Sequence, residues 1–177
     1  MPPYAAIPRF HLSNLPVTTK VALTCFALLL LFAMGFTALV SYPERTKYAA
    51  DGARDNFAGT EWRQERGEIV EQERAKPSER QIYDIVHPHS FLMAVVFFIL
   101  CHMMEMCRAP RAVKIGLYLL AFVSTVAVLL APLLVWKRLA WAPVVGPAVI
   151  VMTATYAILT VVPLVQMWMM RDVEGAG

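Results

Sequence analysis

Four apolar runs, each long enough to cross a lipid bilayer, constrain this chain more than anything else in it. A hydrocarbon core about 30 Å thick takes about 20 helical residues. Runs of that length extend from Val21 to Tyr42, Pro88 to Cys107, Ile115 to Trp136 and Pro147 to Met170. Inside lipid no water reaches the backbone N–H and C=O groups, so each run has to satisfy them internally as a helix. The expected fold class is therefore all-α: a membrane protein of four transmembrane helices in two hairpins, the first span packed with the second and the third with the fourth. With 58% hydrophobic residues and only 8 Gly in 177, the chain matches neither a disordered segment nor an ordinary soluble domain. Arg9 and Lys20 precede the first run as they would in a signal peptide. Its apolar stretch is too long for one, however, and no small-x-small cleavage site follows, so it reads as a retained span.

Orientation follows from Lys and Arg near the span ends. Arg9 and Lys20, the cluster Arg108, Arg111 and Lys114, and Arg171 all fall on one side, which makes that side cytoplasmic; Lys137 and Arg138 oppose it. The expected layout is a cytoplasmic tail 1–20, span one 21–42, an extracytoplasmic loop 43–87, span two 88–107, a cytoplasmic link 108–114, span three 115–136, an extracytoplasmic link 137–146, span four 147–170 and a cytoplasmic tail 171–177. Both termini then face the cytoplasm of a bacterial inner membrane. The net charge of +3 belongs to these membrane-flanking residues and gives no footprint for nucleic acid. Cys25, Cys101 and Cys107 lie within apolar runs, where neither a disulfide nor a zinc site is expected, and read as small buried residues.

The loop of 43–87 is the one sizeable polar part, and its charges are mixed and nearly balanced. Within it TEWRQERGEIVEQERAKP reads as a solvated polar helix, capped by Thr60 and ended by Pro77, with Trp62, Ile69 and Val70 as its few docking residues. SERQ then fits a capping box, which starts a second helix leading towards span two. Pro88 marks either a new helix or a kinked continuation.

Three of the four histidines sit in HPHSFLMAVVFFILCHMMEM. On a helix, His87 and His102 are separated by about 60° around the axis, whereas His89 and His102 fall nearly opposite each other. His87 and His102 therefore suit two sites stacked on one side. Spans one, three and four hold no histidine, so a bis-histidine heme complete within this chain lacks partners. Three readings stay open for the outer pair: ligands of heme b or another pigment, ligands of a copper or zinc ion in the set Asp84, His87 and His89, or polar residues that cap span two. Deeper in the span, His102 and Glu105 share one face. Ionisable groups at such depth mark a proton path, a quinone-site wall or an axial ligand. The alternative is a pairing of Glu105 with Arg108 or Arg111 while His102 bonds a neighbouring helix.

At VHPHSFLMAVVFFILCH the chain resembles small four-span bacterial inner-membrane proteins whose second span opens with a His-x-His-x-Phe-like motif after a charged extracytoplasmic loop. The resemblance implies the four-span plan and gives weight to His87 and His89; it implies no reaction. The sequence holds no complete catalytic set, so an enzyme is not expected. The chain reads best as an accessory or structural subunit of a larger respiratory or photosynthetic electron-transfer complex, with the bilayer and other membrane subunits as partners. The alternatives are a heme- or copper-binding membrane protein using His87, His89 and His102, and a small transporter. A leading segment such as MPPYAAIPRF is expected to be ordered only where something tethers it.

Overall fold

The computed structural model describes residues 11–69 and 73–169. Val70 and the leading segment of residues 1–10, with the expectations placed on them, lie outside the described residues, as do the flanking charges Arg9 and Arg171. The described residues contain helices and no strand. A 3-10 turn, Leu12–Asn14, leads into α1, Val17–Phe36, which continues through a π-helical turn, Thr37–Ser41, into α2, Tyr42–Thr46. Two short helices follow, α3 at Ala50–Ala58 and α4 at Glu61–Gln64. The long helices are α5, Glu79–Glu105; α6, Arg111–Lys137; and α7, Ala142–Met169. Four helical segments, Val17–Thr46, Glu79–Glu105, Arg111–Lys137 and Leu139–Met169, are long and apolar enough to cross a membrane. The chain is a multi-pass membrane protein.

Packing departs from the two expected hairpins. The third and fourth spans, α6 and α7, do form the central pair, and α5 lies against both. The first span turns away from the second: α1 leans on α7, and among the described residues α1 and α5 share no substantial contact. The reason is chemical. Trp168 on α7 donates to the Thr24 hydroxyl on α1 at 2.9 Å, and Lys20 Nζ lies 5.7 Å from the Trp168 ring centre, so Trp168 ties α1 to α7. Lipid is as apolar as leucine, so packing and hydrogen bonds, not water exclusion, choose between neighbours in a bilayer.

Two cores result. One fills the half of the bundle near the α5–α6 link with Leu100, Met103 and Met104 of α5, Ala121 of α6, and Tyr156 and Leu159 of α7, closed by Leu12 from the 3-10 turn. The other lies under the loop, where Ala53 of α3 meets Ala131 and Val135 of α6 and Ala142 and Val145 of α7. The loop is thus docked on the bundle end. Gly146 of α7 permits this, because a Cβ there would stand 2.8 Å from the Tyr48 carbonyl oxygen. Tyr48 and Lys47 take left-handed backbone angles, φ 54 and 51, and the Tyr48 hydroxyl donates to the Ala38 carbonyl at 2.6 Å. Burial pushes the Tyr48 phenol above its ordinary pKa. At the far end of the loop, Trp136 of α6 donates to the Pro77 carbonyl at 2.8 Å.

The polar helix expected from Thr60 to Pro77 shortens to α4. Gly67, at φ 72, ends the helical path as C-terminal glycines do, and Glu68 folds its N–H back to the Arg63 carbonyl at 3.0 Å. Thr60 does not cap α4 through its side chain: its hydroxyl accepts from the Arg74 N–H at 3.0 Å. Trp62 does dock, but inside the loop. Its indole donates to Asp55 at 3.1 Å and lies about 5 Å from the Arg54, Arg63 and Arg66 guanidinium carbons. Arg63 also donates to Asp55 at 3.0 Å, and that carboxylate holds the guanidinium above its ordinary pKa. Ile69 is 94% exposed and is not packed into either core among the described residues. Cys25 is exposed, contrary to expectation, and only Cys107 is fully buried.

Candidate functional site

The histidine-bearing span starts well before Pro88. Ser78 is its N-cap: the Ser78 hydroxyl accepts from the Gln81 N–H at 3.3 Å and the Gln81 side chain accepts from the Ser78 N–H at 2.8 Å, the capping box that SERQ announces. Pro88 sits inside α5, which continues through it, not at its start. It has no N–H to give the Asp84 carbonyl. Around this point two side chains bond back to their own helix, His89 Nδ1 to the Ile85 carbonyl at 2.6 Å and the Ser90 hydroxyl to the Val86 carbonyl at 2.7 Å. A carbonyl only accepts, so His89 carries its proton on Nδ1.

The helix divides the sequence-predicted residues into two sets. Asp84, His87, His102 and Glu105 fall with Phe91, Val95 and Phe98 on one arc of about 80°, and all seven are exposed. His89 is on the other side, in the wall of an open cavity shared with the first span. The three histidines therefore do not converge, and among the described residues no group of three or more His, Cys, Asp or Glu side chains, Asp84, His87 and His89 included, is gathered closely enough for a metal ion.

At the end of the arc nearer the α5–α6 link, His102 stacks on Phe98 of its own helix, ring centres 5.6 Å apart, and makes no hydrogen bond to a neighbouring helix among the described residues. Glu105 is better held. The Tyr118 hydroxyl donates to its carboxylate at 3.1 Å, and Lys114 Nζ donates to its backbone carbonyl at 2.6 Å with the carboxylate 3.8 Å away. The cation that pairs with Glu105 is thus Lys114, in place of the Arg108 or Arg111 expected. Lys114 is only 8% exposed, and its ammonium closes the C-terminus of α5, where a positive charge suits the helix dipole. Lys114 and Tyr118 were missed as site residues; their four-residue spacing on α6, which aims both at one neighbour, is the signal that identifies them.

A charged loop docked on one end, four apolar helices and an ionisable stripe on an outward helix face define a small multi-span helical membrane protein. A family described as a transmembrane helical domain, Aq_1264_TM, matches residues 47–174, and the chain belongs to it. No curated protein and no solved structure matches the chain.

Proposed function

We propose that this protein is an accessory integral-membrane subunit of a larger bacterial complex of the electron-transfer class, and that the outward arc of α5 is the face it offers to its partner. The observation that carries this reading is the exposure of Asp84, His87, His102 and Glu105 together on one side of a membrane helix. An ionised side chain turned towards acyl chains costs up to about 3 kcal/mol near mid-bilayer on insertion scales. A partner helix that supplies hydrogen bonds or counter-charges removes that cost, and Phe91, Val95 and Phe98 between the polar ends give the partner an apolar strip to pack on. The electron-transfer assignment rests on the imidazoles: His102, unbonded and outward, is free to share a heme b, a copper ion or a quinone with a neighbouring chain.

The test is recovery of native complexes from membranes in mild detergent. The protein is expected to co-migrate with larger subunits in stoichiometric amount. His102→Leu should lower that recovery severalfold while the isolated chain keeps its thermal midpoint, because within its own chain His102 stacks only on the exposed Phe98 ring of the same helix, where leucine packs as well. His87→Gln and His89→Gln should leave recovery largely intact. A wild-type protein that migrates alone would remove the proposal.

A further inference from the structure

The gap between the first and second spans is a built cavity. Its volume is about 530 Å³, within the range of ligand sites, and its walls come from the π-helical turn Thr37–Ser41, α2, α3, α5, α6 and α7. One end is polar, with Tyr42, Arg45, Asn56 and His89; the other runs deeper along α6 and α7 past Leu129, Val128, Val145 and Val149. Two polar side chains around it, Tyr42 and Arg45, lack hydrogen-bond partners among the described residues, and a third, His89, has one ring nitrogen to spare. The Tyr42 hydroxyl is buried in the wall with no hydrogen bond, where a tyrosine hydroxyl normally finds one. The Arg45 guanidinium forms no ion pair or hydrogen bond, and His89 uses Nδ1 on its own helix, leaving Nε2 to accept. The π-helical turn Thr37–Ser41 in the same wall is a feature often found where a helix is shaped around a site.

We propose that this cavity binds an anionic, hydroxylated phospholipid, with the phosphate against Arg45, a headgroup hydroxyl donating to His89, and one acyl chain along the apolar wall of α6 and α7. The charge selects the head: Arg45 is the cation at the polar end, and guanidinium matches phosphate geometry. The apolar depth selects a chain-bearing ligand over free phosphate. Because α1 and α5 hardly touch, a lipid of the surrounding leaflet can enter sideways between them. This site is separate from the outward arc of α5, so it stands or falls independently of the partner proposed above.

Native mass spectrometry of the delipidated full chain, titrated with phosphatidylglycerol and separately with phosphatidylcholine, tests the assignment. One phosphatidylglycerol per chain is expected, retained about tenfold better than phosphatidylcholine, the scale of one charge-assisted hydrogen bond. Arg45→Gln should reduce phosphatidylglycerol to the phosphatidylcholine level, whereas Arg80→Gln, an exposed arginine away from the cavity, should not. Ile85→Trp, which fills the cavity from its half-exposed wall, should abolish retention of both. Equal retention of the two lipids, an equal loss with Arg80→Gln, full retention in Arg45→Gln or Ile85→Trp, or displacement by millimolar inorganic phosphate would each overturn the assignment.

Discussion

The inner and outer pairs of spans are built from similar residues and used differently. In the most apolar stretches of the third and fourth spans, 33% and 39% of residues are buried inside the protein, against 6% in each of the first and second. Mean hydropathy over those stretches does not account for this: the first and third spans both reach 2.4. What separates the pairs is small residues and polar anchors. The inner pair brings Ala121 against Tyr156 and Leu159, Ala131 and Ala142 under the loop, and a buried hydrogen bond of 2.9 Å between Thr125 and Tyr156. The outer pair turns Leu28, Leu29, Phe32, Phe91 and Phe98 outwards. In a bilayer, apolarity places a helix in the membrane, and surface shape decides how closely it joins its neighbours.

Substitutions can break that contrast. The largest effect is expected at glycines: Gly146→Leu drives a side chain into the Tyr48 carbonyl and should lower the thermal midpoint in detergent by several degrees or undock the loop, an overpacking cost of about 1–3 kcal/mol or more. Gly35→Leu on α1, with nothing within 4 Å of its Cβ position, should be silent. Next come leucines: Leu159→Ala, at 0% exposure, should cost about 2 kcal/mol or more, while Leu29→Ala, at 70%, should cost almost nothing. If the two leucine variants melted together, the distinction between inner and outer spans would be gone. The smallest effect sharpens the picture within the inner pair: Tyr156→Phe removes the bond to Thr125 and should cost about 0.6 kcal/mol, up to 1.7, as hydrogen bonds between membrane helices do.

Much of this was legible in the residues themselves. The presence of four membrane-length helices, the Ser78–Gln81 capping box and the separation of His89 from His102 all follow from local periodicity, and the structure has them. What local pattern does not carry is the choice of neighbour. Two apolar helices read alike whether they meet lipid or protein, so the partner of α1 and the exposure of Cys25 were not readable. The loop helix was overextended because one glycine, Gly67, outweighed a long run of good helix formers. At the site, Glu105 was legible as an ionisable residue out of place, but its partner Lys114 looked like one more flanking charge. Only the burial of Lys114 distinguishes it, and burial is a property of the assembled bundle.

The docking of α1 on α7 also orders events in time. The first span is synthesised first, and the helix it rests on is the last of the four to leave the ribosome. At roughly 5–20 residues per second, the hundred or so residues between them take roughly 5–20 seconds. Through that interval α1 stands in the membrane without its resting place, next to α5 but scarcely touching it, and the bundle closes only when the C-terminal span arrives. The N-terminal helix is therefore the point at which membrane chaperones, or a second subunit arriving early, can intervene.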